Sequence, residues 1–262
     1  MCQALRLLRM DLTQEVKDKA KEAGFALIGI TKPEKLNDLP YGWVRKITYL
    51  RPPKEIMPSV KSIIILGFKE NNRAFNLAIS SPDWKGYGMH PPEQQFEDYL
   101  FDYEILKNKA WVIINFLSKK GFDAMYTFKM PLKTAAIKCG LGCQGKNALI
   151  INPALGPRIK LIAVLTDAEL DSDEPFISDL CKDCHRCIDA CPTKALKPYK
   201  IDITRCLTYA AESPCTKDVP EDVRELEKKL IAKPVPDSYI ECTKCLEACP
   251  VGKKEQGNSA KN

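Results

Sequence analysis

Cys181, Cys184, Cys187 and Cys191 spell C-x2-C-x2-C-x3-C, and Pro192 closes the run. Three thiolates on one tight loop can hold three irons of a four-iron, four-sulfur cubane. A fourth that points away ligates a second cluster. The run therefore predicts a partner run. Cys242, Cys245 and Cys249, followed by Pro250, repeat the positions of Cys184, Cys187 and Cys191. Tyr239 stands where a counterpart of Cys181 would be and cannot replace a thiolate, so the second run lacks one ligand. Cys206 and Cys215 both lie between the runs, and either can supply it. By this crossed logic, cluster one takes Cys181, Cys184, Cys187 and Cys249. Cluster two takes Cys191, Cys242, Cys245 and either Cys206 or Cys215. A pair of structural zinc sites is the competing reading, because zinc also uses C-x2-C spacing. Zinc needs neither the x3-C-Pro ending nor a crossed fourth ligand.

Composition sets the frame for these ligands. A length of 262 residues suits one large domain or two smaller ones. A hydrophobic content of 45% is ordinary for a fold with a real core. Twelve cysteines would suggest disulfides in a secreted protein, but their spacing argues against that. The opening MCQALRLLRM is apolar, short and runs into a charged helix, without a secretory h-region or cleavage site. No apolar run approaches the ~18–20 residues that span a bilayer. A reduced, cytoplasmic location and no membrane partner are expected. The net charge of +6 suits an acidic electron donor such as flavodoxin, or a nucleic acid, although a solvated lysine-rich surface accounts for it more simply. The polar tail at 257–262 is expected to be disordered.

The surrounding pattern is α+β. Residues 12–23 read as a helix capped by Thr13, with Val16 and Ala20 on one face and Gly24 as the stop. Phe25 to Ile30 and Val60 to Phe68 read as buried strands. Residues 69–92 read as a long polar loop. Residues 93–119 read as a long helix, with Leu106, Trp111, Ile114 and Leu117 facing the core. A short helix over 131–139 and strands at 147–151 and 158–165 follow. The acidic stretch ending in Pro175 marks a boundary near 170. The expected domains are 1–170 and 171–256. Between the cysteine runs, a helix near 221–231 places Val223, Leu226 and Leu230 on one side.

Gly140, Gly142 and Gly145 sit at a helix-to-strand turn, followed by Lys146 and Asn147. Glycines permit positive φ and close approach of backbone to a ligand. The spacing is neither a P-loop nor a dinucleotide fingerprint, and a tight turn closing a helix explains it as well. Cys139 and Cys143 flank the turn and read as buried thiols.

In order along the chain come GLGCQGKN, LIINP, LTD, the first cysteine run with its CPTKA ending, ITRCLTYAAES, and the second run. Together these resemble the epoxyqueuosine reductases over roughly residues 12–252, and the layout is similar to reductive dehalogenases. The resemblance implies a nitroreductase-like α+β domain that binds cobalamin base-off, followed by a double [4Fe–4S] ferredoxin domain. It implies Cys206 as the missing ligand of cluster two. The same resemblance implies a corrinoid site at Gly140, Gly142, Gly145, Lys146, Asn147 and Arg158. It also implies Asp102 as the acidic proton donor, with Asp98–Tyr99 as the competing alignment. Glu104 stands where the family carries a histidine, and Cys143–Gln144 where it carries a tryptophan and its neighbour. The epoxyqueuosine reductases continue into a helical-repeat region that helps hold tRNA, which this sequence does not show. The expected substrate is therefore small or nucleoside-like, with tRNA as the alternative. The expected donor is a low-potential flavodoxin or ferredoxin. An electron carrier or activator for another corrinoid enzyme, and a dehalogenase-like reductase, are the competing functions.

Overall fold

The computed structural model describes residues 2–39, 41–44, 48–69, 76–90 and 101–253. Helix α1 (Cys2–Glu22) precedes strand β1 (Leu27–Thr31), the short strands β2 (Gly42–Val44) and β3 (Thr48–Leu50), and one helical turn, α2 (Pro53–Ile56). Strands β4 (Ser62–Lys69) and β5 (Leu77–Ile79) lead to α3 (Phe101–Lys119), β6 (Ala124–Thr127) and α4 (Leu132–Lys138). Next come β7 (Cys143–Gln144), β8 (Ile150–Ile151) and β9 (Ile159–Thr166). The cysteine-rich part holds α5 (Arg186–Asp189), β10 (Leu196–Lys197), β11 (Lys200–Ile201), α6 (Leu207–Glu212), α7 (Glu221–Leu230), β12 (Ser238–Ile240) and α8 (Lys244–Glu247). The architecture is α+β, as the pattern predicts. No helix among the described residues is long and apolar enough to cross a membrane.

One antiparallel sheet, ordered β1-β4-β9-β6, organises the first part. Its central strands read as continuous apolar runs because both faces are covered. Ile64, Leu66, Ile162 and Val164 pack with Val16 and Ala20 of α1 and with Leu106, Ala110, Ile113 and Leu117 of α3. Ile63, Ile65, Ala163 and Leu165 pack on the other side with Ala135 and Ala136 of α4. The alternation follows from successive strand side chains pointing to opposite faces. Each fully buried isoleucine or leucine contributes roughly 1.5–3 kcal/mol.

Several expectations are corrected. Helix α1 already runs from Cys2, so Thr13 is not its cap; the Thr13 hydroxyl accepts a bond from the Asp171 amide at 2.9 Å. Trp111 is 54% exposed. The buried stripe runs through 106, 110, 113 and 117, and residue 111 lies about 100° further round than 110. Leu230 is exposed as well, while Val223 turns inward. The segment read as a polar loop forms β5, which pairs antiparallel with β12 and sets Ala78 opposite Tyr239. Beyond it, Trp84 Nε1 donates to the Glu212 carbonyl at 2.6 Å and the Tyr87 amide to Ser213 Oγ at 3.1 Å. This segment stitches the two parts together. The strap after β9 still belongs to the first part: Leu170 lies in its core, and Asp173 bonds the Ile30 amide at 2.8 Å and the Lys17 ammonium at 2.6 Å. Asp98–Tyr99, the expected helical turns at 93–100 and the tail at 257–262 lie outside the described residues.

Candidate iron–sulfur and redox site

Short helices and tight loops gather the thiols. Lys182 (φ 41) and Lys194 (φ 54), on either side of α5, hold left-handed backbone without being glycine. Such strain persists only where the surroundings enforce it. Cys187 lies in electrostatic reach of Cys181, Cys249 and Cys184. Cys245 lies in reach of Cys206, Cys242, Cys191 and Cys187. Cys215 is exposed and belongs to neither group; its amide bonds the Lys85 carbonyl at 3.3 Å. Backbone amides already point at two of the sulfurs: Lys146 N donates to Cys181 Sγ at 3.4 Å and Ala195 N to Cys191 Sγ at 3.3 Å. Burial pushes the Cys245 thiol up to about 12 and the Cys206 thiol up to about 11. Thiols this hard to ionise become thiolates only against a metal cation, so metal loading must release protons.

The donor chemistry fits a pair of cubanes: two groups of four soft ligands, each partly shielded from water.

The glycine turn takes a different form from the one its composition suggests. Gly140 (φ +81) and Gly142 (φ +153) need their backbone conformations, but the space a Cβ would take is already filled. At Gly140 it would stand 2.6 Å from the Glu174 carbonyl oxygen, and at Gly142 it would overlap the Ile151 carbonyl. At Gly145 it would meet the Ile151 side chain at 2.5 Å. On the Cβ side, these glycines pack protein on protein. Lys146 donates its ammonium to the Lys182 carbonyl and lies 3.5 Å from His185 Nε2. Asn147 is buried, and its Oδ1 accepts from the Leu149 amide at 3.2 Å. The turn is thus a joint against the loop of Cys181.

Arg158 stands elsewhere. It donates to the carbonyls of Leu246 (3.1 Å) and Val251 (2.7 Å), tying β9 to the second cysteine run. It also lines a cavity of about 580 Å³ together with Asn76, Leu207, Glu241, Cys242 and Lys244. This volume falls within the ~300–1,000 Å³ typical of ligand sites. Of the residues singled out for a corrinoid, Arg158 alone fits such a space.

Asp102 sits in the first turn of α3 and is only 4% exposed. Its Oδ2 lies 3.1 Å from Lys160 Nζ, which lies 2.6 Å from Glu241 Oε2. Burial pulls the Lys160 ammonium toward deprotonation, but Glu241 and then Asp102 outweigh it and hold the charge firmly. Glu212 is buried nearby; its carboxyl is pushed up to about 8 by burial, then by Glu241, against the pull of Lys160. Lys160, Glu241 and Glu212 were not singled out from sequence. A lysine inside the apolar run IKLIAVLT was the available signal for the first.

A 4Fe-4S binding domain model matches residues 174–197. That match supports a four-iron, four-sulfur site in the cysteine-rich part, beside the α+β sheet unit. Along almost its whole length the chain is epoxyqueuosine reductase-like, and the resemblance carried by its motifs is borne out. It is 26% identical to an epoxyqueuosine reductase of Atelocyanobacterium thalassa (isolate ALOHA) over 94% of this chain and 81% of that protein. An epoxyqueuosine reductase solved with an epoxyqueuosine-modified tRNA-Tyr stem loop shares the fold with a TM-score of 0.63 at 22% identity, over 92% of this chain and 65% of that one. A reductive dehalogenase whose structure suggests a mechanism for B12-dependent dehalogenation superposes with a TM-score of 0.53 at 17% identity, over 81% of this chain and 33% of that one.

Proposed function

We propose that this chain is a cytoplasmic oxidoreductase that draws electrons from a low-potential flavodoxin or ferredoxin and reduces a small or nucleoside-like substrate at a corrinoid. The reading is supported by two cysteine runs of crossed spacing, the first matched by a 4Fe-4S binding domain model, within an epoxyqueuosine reductase-like fold. When bound, the two [4Fe–4S] clusters supply one-electron storage and the corrinoid supplies a low-valent cobalt reductant. Cys181, Cys184, Cys187 and Cys249 hold one cluster; Cys191, Cys206, Cys242 and Cys245 hold the other. The cavity between Arg158 and Cys242 is of a size for a small substrate, and its wall includes a thiol assigned to cluster two. Glu241 in that wall shares the Lys160 ammonium with Asp102; the ammonium carries the proton there, and Asp102 is the candidate residue that holds it in place, set one ion pair behind the cavity.

The test is anaerobic reconstitution, an iron and sulfide count, and a cobalamin titration followed by optical and EPR spectra. About eight irons with a one-to-one base-off signal supports the reading. Eight irons with no corrinoid binding leaves an electron-transfer protein. Binding of an epoxyqueuosine-modified stem loop that weakens steeply with salt would make tRNA the substrate, because phosphate contacts release counterions.

Two substitutions sharpen the assignment. Cys206→Ala should lower the iron count from about eight to about four, whereas Cys215→Ala should leave it unchanged. The opposite pattern would make Cys215 the ligand. Asp102→Asn should retain clusters and corrinoid but lower turnover by about 10²–10⁴-fold, the usual contribution of a positioned acid. Full turnover in that variant would remove Asp102 from the mechanism.

A further inference from the structure

Cys143 is a ninth thiol at the clusters. Strand β7 pairs with β8 so that Cys143 lies opposite Ile151 and Gln144 opposite Ile150. Strand alternation then sends the Cys143 side chain inward and Gln144 outward. Cys143 is 8% exposed and packs in one group with Ile151 and Cys249, with Cys181 against it. Three bonds lock β7 to the loop that carries Cys181. Gln144 Nε2 donates to the Tyr199 carbonyl at 3.0 Å, Tyr199 Oη to Asp179 Oδ2 at 2.8 Å, and the Cys181 amide to Asp179 Oδ1 at 2.8 Å. The chain leaving β7 closes on the same sulfur through Lys146 N.

A buried cysteine usually serves as a small apolar side chain. Cys139 fits that description: it packs in the core under α4 and bonds the Ala136 carbonyl at 3.5 Å. Cys143 does not, because its neighbours are two thiols of one predicted cluster. Cys181, first in its run, is half-exposed on a loop, whereas Cys143 is buried on a paired strand. We propose that Cys143 is a reserve ligand of cluster one, able to replace Cys181 on its iron. In the exchange Cys143 gives up its S–H proton and forms the sulfur–iron bond. The Cys181 sulfur–iron bond breaks and that thiolate takes up a proton, with no change in oxidation state.

The proposal rests on the two-cluster reading, and the wild-type protein tests that reading separately: a count well below about eight irons would fail the reading itself. Given a full wild-type count, the expected result for Cys181→Ala is retention of about eight irons with altered EPR g-values for cluster one. Cys143→Ala should also keep about eight, and the double variant should fall to about four. Cys181→Ser is carried in parallel because it preserves the volume of the loop, and an unchanged cluster-two EPR signal reports an intact fold. A fall to about four irons in both Cys181→Ala and Cys181→Ser, with cluster two intact, overturns the proposal. So does a loss of four in Cys143→Ala, which would make that thiol a primary ligand.

Discussion

Lys160→Met should destabilise the loaded protein by about 3–5 kcal/mol, the usual cost of stranding buried charges by removing their partner. Lys160 stands between Asp102 and Glu241 and pairs with both, and all three side chains are at least four-fifths buried. Methionine keeps the length and apolar stem but leaves two carboxylates facing each other, with Glu212 close behind. The direction of the Lys160 shift fixes the pH window. Its folded-state pKa is raised, with burial opposing and Glu241 and Asp102 prevailing. Its contribution is therefore fully present below the unfolded lysine value of about 10.4 and spans the whole neutral range. Urea midpoints of wild type and variant at pH 7 measure the cost. Adding Asp102→Asn and Glu241→Gln to Lys160→Met should recover most of the loss, because no buried charge is then left unpaired. A variant as stable as wild type at pH 7 would show that the triad contributes nothing net.

The same triad shows where sequence reading stops. The cysteine runs are legible because their spacing is local: within each run, neighbouring thiols are separated by two or three residues. Strands β4 and β9 are legible because burial on both faces writes a continuous apolar run. Helix α3 is legible through its stripe, yet Trp111 misleads because an aromatic side chain at the stripe's edge looks like core in a one-dimensional pattern. Residues Asp102, Lys160 and Glu241 meet from three distant segments, and nothing near any one of them announces the other two. Strand β5 is similar: three residues in a polar stretch become a strand only because β12 arrives beside them. The glycine turn fails differently. Composition shows that backbone approaches closely there, but not whether a ligand or the protein itself fills the space, and here Ile151 and Glu174 fill it.

Glu212→Gln should stabilise the protein at alkaline pH and change the shape of its stability curve. Glu212 closes α6 in a buried site, where its carboxyl is pushed from an ordinary 4.5 up to about 8. Burial is the main cause, followed by repulsion from Glu241; Lys160 and the neighbouring Tyr239 hydroxyl pull the other way, and Asp102 adds further repulsion. Between these two pH values the folded chain binds a proton that the unfolded chain has lost, so stability must fall as pH rises through that interval. Below about 4.5 both states are protonated and the site costs nothing; above about 8 both are ionised and the cost is complete. Glutamine keeps the shape and removes the ionisation. Wild type and Glu212→Gln should therefore differ little near pH 5, and the variant should be more stable by up to roughly 5 kcal/mol well above pH 8. Parallel stability curves would mean that Glu212 ionises normally. Glu212 bears on function because it and Asp102 feel the same ammonium. With Glu212 neutral at pH 7, Lys160 serves two carboxylates rather than three, and the charge behind the cavity wall is one negative unit smaller. Raising the pH through about 8 should then act on Asp102 through Lys160, so an alkaline limb in wild-type turnover that Glu212→Gln abolishes would tie this carboxyl to the reaction.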